Sequence, residues 1–324
     1  MKPTTAKIIK NYILGTILCF IIAFHVVTIV HELCGHGLAA ILLGGRIDDV
    51  YISWMGGSGY VHPDFRGAAV DDVGAALYEW AGILVTLVFG AAVWLIWDRF
   101  FRDTIWSGML LWITALSSFT SGLGYIVLGL HYGYGDMAAT ATVLKKLHLC
   151  SVSVFAAMAV HAAVMYMLCR PVPYMQRKWL QLPHWWQHMI TAVLVIGAGA
   201  GTSAVLNYAE GLFHENEMYT RIMRTEAVRR AEELADARNV QRESEGLEPM
   251  TDREKGSLVS SQAEEYSPWP VYWIYFPLLL LAAALGVRRG NERSPELQRP
   301  SRIPFWLWCL AAASIAASPL VSAL

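Results

Sequence analysis

Two histidines and a glutamate lie inside an almost wholly apolar stretch, Val30-His31-Glu32-Leu33-Cys34-Gly35-His36-Gly37-Leu38-Ala39-Ala40. Hydrocarbon favours neither imidazole nor carboxylate, and ionisable residues in a membrane span mark function by default. His-Glu followed by a second His is the pattern of a zinc hydrolase, with two ligands and a general base on one helix. The usual form, H-E-x-x-H, sets the rings about 40° apart on one helix face. Here the second His comes five residues after the first, and a regular helix would turn the rings about 140° apart. A π-bulge would absorb the extra residue and bring the rings back together, and such bulges often occur at functional sites. Gly35 stands where that residue must go, and glycine tolerates the geometry. The alternative is a pair of polar residues bonding across a helix bundle.

A catalytic zinc usually has three protein ligands and an open position. The charge pattern set out below, together with helix counting, brings Leu130-His131-Tyr132-Gly133-Tyr134-Gly135-Asp136-Met137 to the same side of the membrane as the outer end of the histidine helix. Asp136 is the expected third ligand and His131 the alternative. Asp136 could instead cap a helix over 137–148, and capping and ligation can coexist. His161 sits in the middle of a span, where it could orient a ligand or bond a neighbouring helix. Glu79 and Asn207 lie near span ends, where water could satisfy them. His25 is two turns before His31 and is not read as a ligand.

These residues must be held by membrane helices. The chain has 324 residues, 55% of them hydrophobic, and a net charge of −1. That balance describes an integral membrane protein and offers no basic surface for nucleic acid. The cysteines, Cys19, Cys34, Cys150, Cys169 and Cys309, form no Cys-x-x-Cys pair, so neither a cysteine zinc knuckle nor a disulfide framework is expected. Lys2, Lys7 and Lys10 precede an apolar run as in a signal peptide. That run continues into the histidine motif, so it reads as a retained first span. The expected class is an all-α polytopic membrane protein with a small β-hairpin and an extramembrane helical segment.

Seven apolar stretches are long enough to cross: 11–43, 74–97, 105–130, 149–169, 187–207, 269–287 and 304–322. The N-terminal tail and alternate short loops hold thirteen Lys and Arg, including Arg99, Arg102, Arg170, Arg288 and Arg289. The opposite short loops hold four, Arg46, Arg66, Lys145 and Lys146. The positive-inside rule then sets the N-terminus in the cytoplasm and, with an odd span count, the C-terminus outside. Three parts follow: a core over 1–207 with a hairpin at 46–62, an external segment over 208–268, and two closing spans over 269–324. The external segment reads as a helix from His214 to Arg242, supported by Glu217–Arg221 and Glu226–Arg230 spacings, then as a linker. It is either a solvated spacer or an element that recognises a substrate or partner.

The chain resembles the site-2-protease-like intramembrane zinc metalloproteases, the M50 peptidases and their bacterial relatives. Three stretches carry the resemblance. The first is the zinc helix with its exit, Leu43-Gly44-Gly45-Arg46. The second is Ile47 to Tyr60, containing Trp54-Met55-Gly56-Gly57-Ser58-Gly59, similar to the hairpin that follows the zinc helix there. The third is Glu79-Trp80-Ala81-Gly82-Ile83-Leu84-Val85, like that family's Ala-Gly opening of the next span. The family spaces its histidines by four rather than five. Its Asn-Pro…Asp-Gly element is reduced here to Gly135-Asp136.

The resemblance implies one zinc held by His31, His36 and Asp136, with Glu32 as general base. It implies peptide-bond hydrolysis in or beside the bilayer of a bacterial cytoplasmic membrane, on a single-span protein presented as a strand on the hairpin's edge. Many members keep their metal toward the cytoplasm, whereas the charge pattern here sets it toward the outside. Two other functions compete: a catalytically inactive metal-binding receptor or scaffold, and a zinc hydrolase of a lipid or other amide.

Overall fold

A computed structural model describes residues 5–53, 59–65, 72–180, 226–251, 271–290 and 302–321, with Glu254, Lys255 and scattered positions over 184–204. The chain is mostly helical. It begins with α1, Thr5–Ile29, which runs through a π-helical segment, Val30–Gly37, into α2, Leu38–Leu42. The continuous apolar helix Ile8–Leu42 has 35 residues. At about 1.5 Å per residue it exceeds a hydrocarbon core about 30 Å thick. Its last turn leaves Leu38, Ile41 and Leu42 exposed.

A two-stranded antiparallel sheet follows, β1 Arg46–Ile52 and β2 Gly59–Asp64, with a register shift between Ile47 and Asp49. The hairpin reaches two residues beyond the expected 46–62, because Arg46 pairs with Asp64 at 2.9 Å across its open end. The tip expected at Trp54–Ser58 lies outside the described residues. Then come α3, Asp72–Ile96, ending in a second π-helical segment, Trp97–Phe101; α4, Trp106–Tyr132; α5, Ala138–Lys146; α6, Cys150–Cys169; and α7, Val172–Leu180. Three further helices complete the description: α8 Glu226–Ser244, α9 Val271–Arg288 and α10 Phe305–Val321.

Among the described residues, five helices are long and apolar enough to cross a membrane: Ile8–Leu42, Val73–Phe101, Trp106–Tyr132, Cys150–Arg177 and Val271–Arg288. The expected 304–322 span appears as α10, which is apolar but has 17 residues. Most of the expected 187–207 span lies outside the described residues.

Two compact units divide the chain. The first comprises 1–123, 160–215 and 278–324; the second comprises 124–159 and 216–277. In the first unit, α1 supplies the centre of the core. Leu18, Cys19, Ile22 and Ala23 pack with Trp97, Met109, Ile113, Leu307 and Ala311. The ends of α1 and α7 are joined by Gln176, which donates to the Tyr12 hydroxyl at 3.3 Å and lies 2.9 Å from His188 Nδ1.

In the second unit, Gly133 and Gly135 adopt left-handed φ of 65° and 55°. They turn the chain sharply after α4, a conformation that residues with a Cβ resist. The described residues just beyond α8 fold back on it. Met250 packs on Ala231 and Ala235, the Met250 N–H donates to Asn239 at 2.7 Å, and Arg242 pairs with Glu254 at 3.2 Å. Thr251 and Glu254 bond each other reciprocally, as in a capping box. Bonds from Thr251 and Arg242 hold the Glu254 carboxyl below its usual range. The helix expected from His214 is described only from Glu226, and 214–225 lies outside the described residues.

A Cβ at Gly135 would run into the Tyr125 hydroxyl as well as take a left-handed φ. Gly135→Ala should therefore lower the thermal midpoint of the purified protein in detergent, with at least about 1–2 kcal/mol lost to the backbone conformation alone. Adding Tyr125→Phe should recover the steric part and leave the backbone part. Midpoints compared across the two variants separate these contributions.

Candidate metal centre

The π-helical segment Val30–Gly37 solves the problem set by the five-residue spacing. At its end, the Leu38 N–H reaches the Leu33 carbonyl five residues back. The widened turn brings the two rings to one side of the helix, and His31 Nε2 lies 3.2 Å from His36 Nε2. The ring centroids are 4.9 Å apart and the planes cross at 71°.

The segment packs on α3, and α3 fixes both rings. His36 Nδ1 lies 2.9 Å from the Tyr78 carbonyl, which can only accept, so Nδ1 carries the proton and Nε2 a lone pair. The Thr86 hydroxyl donates to the Gly82 carbonyl at 2.8 Å, leaving its oxygen to accept from His31 Nδ1 at 3.1 Å. His31 Nε2 is then also a lone pair. Two lone pairs facing each other repel unless a proton or a cation lies between them. A ligating histidine is generally held in this way, its far nitrogen donating to an oxygen. Two imidazole nitrogens on one tetrahedral zinc would stand roughly 3.3 Å apart, given bonds of about 2.0–2.1 Å. The measured separation fits a small tetrahedral cation.

Gly82 makes the space. A Cβ there would meet both Nε2 atoms, at 2.6 Å from that of His31 and closer to that of His36. Gly35 allows the approach that puts Gly82 there, since its own Cβ would come 2.5 Å from the Gly82 Cα. The glycine of the histidine helix and the glycine of the Ala81-Gly82 pair thus serve one contact, backbone against backbone.

Glu32 is buried. A Cβ on Gly59 would lie 3.0 Å from Glu32 Cγ, so the first residue of β2 rests on the glutamate. The hairpin is fastened there by Val50, Ile52 and Val61 packing with Ile29 and Leu33. Tyr78 donates its hydroxyl to the Val61 carbonyl at 2.8 Å. One residue of α3 therefore holds the hairpin with its side chain and His36 with its carbonyl.

No family model, curated protein or solved structure matches this chain. What the site can do is read from its own residues.

Asp136 and His131 belong to the second unit. Asp136 is half-buried in a 3₁₀ turn, Gly135–Met137. The N-cap of α5 is Met137, without a side-chain bond, so Asp136 does not occupy the capping position considered for it. His131 is buried, with its ring edge-on to Tyr132 at 4.6 Å. His161 is buried within α6. One carboxylate oxygen of Glu79 is buried, contrary to the expectation that it faces water. His25 bonds the Ile21 carbonyl of its own helix at 2.7 Å. Tyr78 and Thr86 are the functional residues that sequence reasoning missed. Their signal was present but faint: each lies four residues from Gly82, on the face of α3 that the glycine opens.

Gly82→Ala should drive the two Nε2 atoms apart and lower the thermal midpoint, with about 1–3 kcal/mol lost to overpacking. Gly197→Ala, where no atom lies within 4 Å of the added Cβ, should leave the midpoint unchanged or slightly raised. Parallel melts of the two variants in one detergent check this.

Proposed function

We propose that the chain is a zinc-dependent endopeptidase of the site-2-protease-like type, cutting membrane-associated proteins within or beside the bilayer. The observation that carries this reading is the pair of Nε2 lone pairs converging over Gly82, with a buried glutamate one residue from the first ligand. The proposed ligands are His31, His36 and Asp136, two imidazoles and a carboxylate, a donor set that suits a catalytic zinc. Asp136 is preferred to His131 because it offers a carboxylate not used as a helix cap.

A bound zinc supplies Lewis acidity that activates water and polarises a carbonyl. The protein's own residues do the rest. His31 and His36 are held in the ligating tautomer by Thr86 and Tyr78. Glu32 takes the proton of the attacking water and delivers it to the leaving amine. Glu32 is buried beside the histidine pair. A helical substrate has its carbonyls bonded internally and must unwind before hydrolysis. The hairpin offers a strand edge for that, and Gly59 links the edge to Glu32.

The topology forms part of the same proposal: seven spans, with the N-terminus in the cytoplasm and the 208–268 segment outside. Its support is the thirteen-to-four imbalance of Lys and Arg, the apolar stretch at 187–207 and the apolar α10.

Glu32→Gln should retain about one zinc per chain by elemental analysis and lose activity by about 10²–10⁴-fold, measured as accumulation of uncut single-span proteins in cells. His31→Ala with His36→Ala should lose the zinc as well. A scaffold would keep its function in Glu32→Gln, and a hydrolase of lipids or other amides would release products other than peptides.

For the topology, a single cysteine at Ser244 should react with an impermeant maleimide in intact cells, and one at Arg99 should not. Both positions are exposed, so burial does not decide the outcome.

A further inference from the structure

The first unit holds a second polar site, distant from the histidines. A cavity of about 640 Å³ opens where the C-terminal ends of α3, α6 and α9 come together. Its lining includes Trp97, Asp98, Arg102, Arg170, Arg288 and Arg289. Four guanidinium groups thus face one carboxylate. Arg102 is already engaged, pairing with Asp98 at 3.3 Å and lying 5.3 Å over the Tyr174 ring. Among the described residues, no acid pairs with Arg170, Arg288 or Arg289, and all three are exposed. The cavity therefore carries a net positive charge.

The cavity is held open by backbone packing rather than by long side chains alone. A Cβ on Gly286 would collide with the Tyr166 carbonyl, and one on Gly290 with the Arg170 carbonyl. These glycines let the end of α9 lie directly on the end of α6 and bring Arg288 and Arg289 to Arg170. On the other wall, α3 passes into its second π-helical segment at Trp97. Trp97 is 1% exposed, and its Nε1 has no hydrogen-bond partner among the described residues. A buried indole N–H without an acceptor is costly.

The surroundings decide the source of the anion. One turn or so before the arginines, Leu95, Met167 and Leu285 are exposed, and Met167 also lines the cavity. The site is thus apolar toward the span and cationic at its end, which is the profile of a phospholipid. Arginine forks match phosphate oxygens bidentately, and basic pockets between membrane helices take anionic headgroups.

We propose that this cavity binds the phosphate of an anionic phospholipid headgroup, with Arg170, Arg288 and Arg289 on its oxygens and the acyl chains along Met167 and its exposed neighbours. The site is independent of any proteolytic reading of the histidines.

Native mass spectrometry of the purified full-length chain, incubated with equal amounts of dioleoylphosphatidylglycerol and dioleoylphosphatidylcholine, tests this. Wild type should retain phosphatidylglycerol with at least about tenfold preference. Arg288→Gln with Arg289→Gln should abolish the preference, and Arg170→Gln, at an exposed position, should reduce it by about threefold or more. Arg99→Gln removes a charge from the same end of α3 outside the cavity and should leave the preference intact. Millimolar inorganic phosphate should not displace the lipid. Equal retention of the two lipids by wild type, an unchanged preference in the cavity variants, loss in Arg99→Gln, or displacement by inorganic phosphate would each overturn the proposal.

Discussion

Two imidazoles five residues apart cannot share a ligand on a regular α-helix, and most of the first unit's local structure follows from resolving that constraint. The helix must widen, and it does so over Val30–Gly37. A widened turn loses regular bonding and needs outside support, which α3 provides through close backbone contact. Gly35 and Gly82 are therefore one device: without either, the helices would stand off by a side chain, and Tyr78 and Thr86 would no longer reach the rings. The two supporting oxygens then set both tautomers. The outcome is a pair of lone pairs at 3.2 Å, an arrangement that is unfavourable alone and favourable around a cation.

The same contact organises the hairpin. Tyr78 is bonded to Val61 through its hydroxyl and to His36 through its carbonyl, so the strand and the ring share one anchor. Phe65 meets the Tyr78 ring edge-on at 6.2 Å and closes that side. The hairpin also needs the apolar residues of the histidine helix, Ile29 and Leu33, beneath it. A two-stranded sheet lacking that support would be marginal. The polar site thus forms where three elements each supply what another lacks.

Much of this was legible locally. The His pair, the inserted glycine and the need for a π-bulge are all properties of eleven consecutive residues, and helix geometry alone relates them. The hairpin was legible from its position after the zinc helix and its glycines, though the Arg46–Asp64 pair extends it. The roles of Tyr78 and Thr86 were not, because a tyrosine acting through its backbone carbonyl leaves no side-chain pattern to read. The capping reading of Asp136 failed for a related reason. Two left-handed glycines and a 3₁₀ turn shift the cap to Met137 and the helix start to Ala138, and a periodicity argument does not see a turn of that length. The Met250 contact on Ala231 and Ala235 was not legible either, because it is a tertiary choice within a stretch whose Gly, Ser and Pro suggest a linker.

α3 connects the chemistry at one end of the first unit with the charge at the other. Tyr78, Gly82 and Thr86 lie on successive turns of it, and Trp97 stands fifteen residues beyond Gly82. That is about 22 Å along a helix, too far for direct electrostatic influence through screened surroundings. It is short enough that a single rigid element fixes both. Each end departs from regular helical packing for its own reason: the N-terminal half is indented by a glycine to admit two rings, and the C-terminal end is widened by a π turn that buries an indole. Apolar residues between them, Ile83 and Val93, are buried and make the helix an ordinary packed span. The two rings and the arginines thus meet this helix at separate places, and the stretch between them is left to packing.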